Sequence, residues 1–314
     1  YRIAHIVPGV NWDPAYRSPL AEPGVPVSEG DYLIAIDGVE VRTGDNVFAQ
    51  LEDKANRMVT VTTNSKPSAK GAVTTRIRTL GRDGGLRYRA WSDANLAYVT
   101  ARTDGRIGYL HLPNMMEPGL IEFARSFYPQ SGKAALVIDE RWNGGGFVGD
   151  MIIDRLEREL WGMTAPREGG TGRNPERVLH GPIVVLINEN TGSNGEFFAE
   201  AIKRKGLATV LGVRTWGGSI GIEPHQDLVD GGGTTPPQFG LYGLDGTWPI
   251  EGWGVEPDIR VMNMPADVVT GKDAQLDAAI AHLLERLEKE GDTWRIPETP
   301  PYPDKSKPNM SGLR

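Results

Sequence analysis

Two glycine-rich turns carry the chain's strongest chemical signal. Asn143-Gly144-Gly145-Gly146 and Thr191-Gly192-Ser193-Asn194-Gly195 each follow a short apolar run, residues 134–138 and 183–187. Glycines between a buried strand and a helix permit a tight turn that lifts the next side chain above a sheet and leaves backbone N–H groups directed outward. Such a turn suits an anion or a developing oxyanion, and Ser193 stands at the positive end of the helix that follows, where a hydroxyl nucleophile would stand. Ser193-Asn194-Gly195-Glu196 also fits the capping box, in which serine caps a helix and a glutamate three residues on reaches back. On this segment alone the cap is the plainer reading, and the Asn143 turn alone reads as a strand-to-helix connection. Neither run has the lysine of a P-loop or a complete dinucleotide fingerprint.

The remaining reactive side chains narrow the choice. The chain has no cysteine, which excludes a thiol nucleophile, a disulfide framework and Cys-ligated zinc, and leaves a cytoplasmic setting as the default. Its histidines are His5, His111, His180, His225 and His282. They form no His-x-x-x-His pair and stand near no carboxylate cluster, so neither a metal nor another cofactor is expected. His282 lies beside the apolar stripe of a helix, His111 ends a strand and His180 precedes the Pro182 turn, which are structural placements. Glu251, Glu256 and Asp258, read alone, make a charged loop.

Stepping outward, residues 1–79 contain short β-branched runs punctuated by Gly, Pro and Asp, the pattern of a small β-rich domain. Past Gly85 the texture becomes apolar strands alternating with amphipathic helices. Both glycine turns belong to βα units, so two parallel strands of one sheet are expected to present them. The helix after the first turn is expected to bury Phe147, Val148, Met151, Ile152, Leu156 and Leu160. The one after the second carries Phe197, Phe198, Ala201 and Ile202. Residues 273–290 predict a last helix through Leu276, Ile280, Leu283, Leu284 and Leu287, with Asp273 and Asp277 near its positive end. The prolines from Pro297 onward prevent further helix.

A length of 314 residues suits two domains, expected at residues 1–85 and 86–291, with a Pro-rich tail at 292–314. A net charge of −7, without a basic block interleaved with aromatics, excludes nucleic acid as a partner. No apolar run reaches the roughly 18 to 20 residues of a membrane span.

The segment Ser18-Pro19-Leu20-Ala21-Glu22-Pro23-Gly24-Val25, with Glu29-Gly30-Asp31-Tyr32-Leu33-Ile34-Ala35-Ile36-Asp37-Gly38, resembles the PDZ domains. Farther on, Gly108-Tyr109-Leu110-His111-Leu112-Pro113, the run Ile138-Asp139-Glu140-Arg141-Trp142 into its glycine turn, the Ser193 turn, Gly212-Val213-Arg214-Thr215-Trp216-Gly217-Gly218 and Ile250-Glu251-Gly252-Trp253-Gly254-Val255-Glu256-Pro257-Asp258 occur in order. Together they resemble the C-terminal part of the tricorn proteases, which are S41-type serine peptidases. The resemblance implies an α/β fold, a crotonase- or ClpP-like catalytic domain with the small PDZ-like domain at its N-terminal end. It implies Ser193 as nucleophile, the backbone amides of Gly146 and Asn194 as oxyanion hole, and Glu251 as the group that orients the catalytic dyad. Gly145 and Thr164 fall in the substrate-binding region, Thr164 where the family holds an acid for basic side chains, which puts a Lys or Arg preference in doubt. Asn194 stands where close relatives have Asp.

Oligopeptide substrates, a cytoplasmic setting and a homo-oligomer, a hexamer, are further implications. The family's base is a histidine preceded by serine, upstream of the PDZ domain. No Ser-His dipeptide occurs in this chain, so the base is expected from an upstream segment of a larger enzyme. Two alternatives use the same scaffold: a non-catalytic peptide-binding protein, and acyl-CoA chemistry with a glycine-backbone oxyanion hole. Ser193 at the turn argues against the second.

Overall fold

Period-two burial and turn chemistry account for the first sheet. Strands β1 (Tyr32–Ile36), β2 (Val39–Glu40), β3 (Met58–Asn64) and β4 (Val73–Arg78) pair antiparallel in the order β2-β1-β3-β4. Asp37 and Gly38 take φ values of 49° and 78°, as the two-residue turn between β1 and β2 demands. The Asp37 carboxylate accepts from the Thr60 N–H at 2.7 Å and from Lys54 at 2.8 Å, tying the turn to β3. Along β3 only alternate residues, Val59, Val61 and Thr63, are buried. Val59, Val61 and Ile77 form the core, with Leu20, Val25 and Leu33 packed against it.

The computed structural model describes residues 1–222, 226–290, 297–302 and 306. Most of the Pro-rich tail expected at 292–314, and His225, lie outside the described residues. The chain forms two compact units, Tyr1–Asn95 and Leu96–Arg314, with the division inside helix α1 (Gly84–Arg102).

The second unit is built on a parallel sheet. In chain order its main elements are β5 (Ile107–His111), α2 (Glu117–Gln130), β6 (Ala135–Asp139), α3 (Gly149–Leu156), the hairpin β7 (Gly162–Thr164) and β8 (Gly172–Asn174), β9 (Ile183–Ile187), α4 (Asn194–Arg204) and β10 (Thr209–Gly212). A short strand, Ile259–Arg260, and the helix Ala274–Glu290 follow. The sheet order is Ile259–Arg260, β10, β9, β6, β5. Every residue of β5, β6 and β9 is buried, as expected of strands covered on both faces. Leu136, Ile138, Val185 and Ile187 face one side, with Phe127, Ile152, Phe198 and Ile202 of α2, α3 and α4. Val137, Val184 and Leu186 face the other, with Val99 of α1 and Leu276, Ile280 and Leu283 of the last helix. Each such side chain contributes about 1.5 to 3 kcal/mol by leaving water.

One helix departs from the sequence reading. The apolar stripe predicted from Phe147 onward is not buried as a unit: Phe147 is 76% exposed, Met151 56%, and Ile152 and Ile153 take the inner face. The cause lies in the turn, where the Phe147 and Val148 N–H groups both donate to the Met115 carbonyl. Those two residues therefore close the glycine turn, and the helix begins at Gly149. Among the described residues, no helix is long and apolar enough to cross a membrane.

Parallel pairing fixes where the two glycine turns emerge. β6 and β9 are neighbours, with Asp139 opposite Leu186. Both turns therefore leave the carboxyl edge of the sheet side by side, the edge at which open α/β sheets bind ligands.

Candidate active site

The first turn is anchored from below by a buried polar network. Arg141 is 1% exposed; its guanidinium donates to Asp139 at 2.9 and 2.6 Å and to Asp273 and Gln275 at 2.9 and 3.1 Å. Burial works against its charge, but the Asp139 and Asp273 carboxylates more than offset this and hold it protonated. Tyr109 adds a hydroxyl bond to Asp139 at 2.9 Å. Two residues on, fully buried Asn143 shapes the turn itself. Its Nδ2 donates to the Leu112 carbonyl at 3.1 Å, and its Oδ1 accepts from the Gly145 N–H at 2.9 Å. Its carbonyl accepts from the Gly192 N–H at 2.9 Å, which joins the first turn to the second.

Gly145 and Gly146 need to be glycine for different reasons. At Gly145 (φ 94°) a Cβ would stand 2.5 Å from the Ser193 Cβ and 2.9 Å from the Asn194 N, so the two turns touch there. The Gly145 carbonyl also accepts from the Met115 N–H at 2.8 Å, so both of its backbone polar groups are used internally. A Cβ on Gly146 (φ 146°) would collide with the Met115 carbonyl. Bridging of Met115 to Gly146 consumes the groups on either side of Gly146 and leaves its own N–H without an acceptor among the described residues.

Ser193 has φ 51° and ψ −125°, a backbone conformation that costs an L-residue of order 1 to 3 kcal/mol and signals a constrained site. Ser193 and Glu196 do form the capping pair, and the hydrogen bonds show its working half. The Glu196 carboxylate accepts from the Ser193 backbone N–H at 2.9 Å, while the Glu196 N–H donates to the Ser193 carbonyl at 2.9 Å. The Ser193 hydroxyl takes its capping-box place toward the Glu196 N–H, but that N–H is given to the Ser193 carbonyl and no side-chain cap hydrogen bond of full geometry forms. The hydroxyl is thus uncommitted, and the Asn194 N–H beside it, first in α4, also lacks an acceptor among the described residues. Two free N–H groups beside a free hydroxyl at a helix N-terminus can polarise a carbonyl and hold the oxyanion formed when it is attacked. The Asn194 side chain is occupied elsewhere, its Oδ1 accepting from the Gly149 N–H of α3 at 2.9 Å.

Glu196 does more than cap. It is fully buried and also accepts from the Thr215 hydroxyl and Gly217 N–H, both at 2.6 Å, and the Gly218 N–H at 3.1 Å. It therefore welds the Ser193 turn to the Thr215–Gly218 stretch, and the Ser193 N–H reaches the Gly218 carbonyl at 3.2 Å. Glu251, an exposed residue, fixes the next two positions of that loop. Its Oε2 accepts from the Ser219 N–H at 2.8 Å, the Ser219 hydroxyl at 3.1 Å and the Ile220 N–H at 2.9 Å. Thr164 is the exposed end of β7, opposite Gly172 in an otherwise half-buried β7–β8 hairpin.

No described histidine contacts the Ser193 hydroxyl. His5 pairs with Glu29 at 2.7 Å, His282 meets the Thr209 hydroxyl at 3.2 Å, and His180 is exposed. His111 is buried against the Arg141 carbonyl at 2.9 Å, and burial pushes its imidazole below the ordinary value despite Asp139. Among the described residues, no group of His, Asp and Glu is arranged to hold a metal ion.

Residues 106–261 match peptidase family S41, and residues 1–81 match the tricorn protease PDZ domain. The chain belongs to peptidase family S41. Over 288 residues this S41 chain is 38% identical to the tricorn protease of Thermoplasma acidophilum, covering 91% of the chain and 26% of the relative. Over 291 residues it is 38% identical to tricorn protease homolog 1 of Streptomyces coelicolor, covering 92% and 27%. A crystal structure of the tricorn protease superposes with a TM-score of 0.85 at 36% identity, covering 92% of this chain and 28% of the other. The S41 chain thus spans about a quarter of the length of these relatives. Gly146, Ser193, Asn194 and Glu251 all lie inside the S41 match. Asn143, Arg141 and Glu196 hold the two turns in place, and the sequence named Asn143 only as part of its turn and Glu196 only as a cap. Asn143 gave a signal, an Asx residue before glycines, but Arg141 in a charged run gave none.

Proposed function

We propose that this chain is the nucleophile-bearing part of a tricorn-type serine peptidase acting on oligopeptides. The observation that carries the reading is the Ser193 turn. Its hydroxyl makes no cap hydrogen bond of full geometry, and the two turns that carry the Gly146 and Asn194 N–H groups, which lack acceptors among the described residues, meet at Gly145 and Ser193. In the proposed reaction Ser193 Oγ attacks the scissile carbonyl and loses its proton to a general base. The two N–H groups hold the oxyanion, and water then releases the acyl group. Glu251 serves as a positioning residue through the Ser219–Ile220 loop that adjoins Gly218. Gly145 contributes the absence of a side chain, which lets the two turns meet. The base comes from an upstream segment, in keeping with His5, His111 and His282 being engaged elsewhere. Thr164 supplies a neutral hydroxyl where the resemblance sets an acid, so a Lys or Arg preference is not part of the proposal. A cytoplasmic homo-oligomer, a hexamer, completes the reading by resemblance.

The decisive variant is Ser193→Ala in the complete protein. Peptide hydrolysis should fall by roughly 10³-fold or more, and labelling by a serine-directed phosphonate should vanish. The cap is carried by Glu196 and the backbone, so unfolding should change by no more than about 1 kcal/mol. Near-normal turnover in this variant would refute the assignment.

A further inference from the structure

Against Gly195, two residues past Ser193, lies a carboxyl group that the reaction above does not use. Glu140 follows β6 and is fully buried. Its backbone holds both turns, since its carbonyl accepts from the Asn143 N–H at 3.1 Å and the Thr191 hydroxyl at 3.0 Å, and its N–H donates to the Leu186 carbonyl at 2.9 Å. Its side chain reaches the first turn of α4: a Cβ placed on Gly195 would stand 3.1 Å from Glu140 Oε1. Neither carboxyl oxygen has a hydrogen-bond partner among the described residues. Glu196, in the same buried space, has four donors and is the pair member equipped to carry charge.

The charged groups around Glu140 all discourage a second anion there. Glu196 faces it from α4 and Asp139 from β6, and both repel it. Arg141, the next residue, is turned to Asp139 and Asp273, and a His111 ring nitrogen is hydrogen-bonded to the Arg141 carbonyl. Burial first, then Glu196 and Asp139, hold the Glu140 carboxyl well above the usual carboxylate range.

We propose that Glu140 is a positioning residue of this site that works as a neutral acid. Uncharged, it leaves the positive end of α4 undiminished for the oxyanion, and its ionisation as pH rises weakens the site. This rests on the serine-peptidase reading for its consequence in catalysis, but the neutral state of Glu140 can be measured without turnover.

The experiment compares the wild-type chain with Glu140→Gln, and with Glu140→Met as a second neutral replacement should the amide not be tolerated. Because the folded-state value is raised, the unfolded chain releases this proton first, so wild-type stability contributed by Glu140 falls as pH rises from about 4.5. The ratio of the wild-type to the Gln unfolding constant should therefore grow by up to tenfold per pH unit until Glu140 ionises in the folded state, then level off. In the same chain the Asn194 and Gly195 amide resonances should titrate over the pH range in which that ratio levels off in wild type, and stay fixed in both neutral variants. In the complete enzyme, wild-type kcat/KM should lose roughly ten- to a hundredfold through that titration, and the variants should not. A ratio independent of pH would overturn the neutral acid. Amides that titrate alike in wild type and variants, or the same pH dependence of kcat/KM in all of them, would overturn the positioning role. Loss of turnover in every protein with the amide titration intact would strike the peptidase reading alone.

Discussion

At the scale of single residues, the site depends on what is missing from two positions and on one residue held in a strained conformation. Gly145 is where the turns touch, and a methyl group there would meet Ser193 Cβ at 2.5 Å. Gly145→Ala should cost about 1 to 3 kcal/mol through overpacking, with a further penalty for a side chain at φ 94°. Because the displaced atoms are the proposed nucleophile and its neighbouring N–H, kcat should fall by roughly 10²-fold with KM little changed. Equal effects on kcat and KM would show a general loss of structure instead. Ser193 also shows how a sequence pattern can be right about one half of a residue. The capping-box spacing foretold that Glu196 would reach back to Ser193, and it does. The pattern could not reveal that the carboxylate binds the backbone N–H and leaves the hydroxyl free, because that follows from φ 51° at Ser193.

Elements determine how these residues are brought together. The adjacency of the two turns was legible from two continuous apolar runs that each enter glycines, since buried parallel strands place their carboxyl ends on one edge. The start of α3 was not legible, because Phe147 and Val148 continue an apolar stripe while their N–H groups are taken by Met115. Nor was the burial of Glu140 and Arg141, because consecutive charged residues after a strand carry no apolar signal. The last helix shows an element acting on the site from a distance in sequence. Asp273 caps it, accepting from the Leu276 N–H at 3.0 Å, and also holds Arg141 two residues before Asn143. Asp273→Asn should destabilise the chain by about 2 to 4 kcal/mol, combining a weakened cap with a buried cation deprived of one charge. The thermal midpoint should fall by roughly 4 to 16 °C. Burial raises the Asp273 carboxyl, but Arg141, Asn263 and the Leu276 N–H outweigh it, so the net shift is below the ordinary value of 3.8. A depressed folded-state value makes this stability present above about pH 3.8 and lost as pH falls through the folded value. The difference between wild type and Asp273→Asn should therefore shrink in acid, and a difference constant down to pH 2 would contradict the assignment.

For the molecule as a whole, the open question of the mechanism is where the proton of Ser193 goes. Ser193, the proposed oxyanion N–H groups and Glu251 belong to one unit, in which His111 is hydrogen-bonded to the Arg141 carbonyl and His282 to the Thr209 hydroxyl. A serine hydroxyl without a base is a poor nucleophile, and a matched base contributes typically 10²- to 10⁴-fold. The 314-residue chain alone should therefore label slowly with a serine-directed phosphonate, at a rate that climbs in proportion to added imidazole, because a free base then substitutes for the missing one. Ser193→Ala should abolish the labelling at every imidazole concentration. Joining the chain to the upstream segment should raise the rate and remove its dependence on imidazole. His225→Ala is the necessary control, since that residue lies outside the described ones. If the chain alone reacted at full speed, without response to imidazole, the base would be internal. Loss of that rate in His225→Ala, or in a matching variant of another histidine, would then identify it.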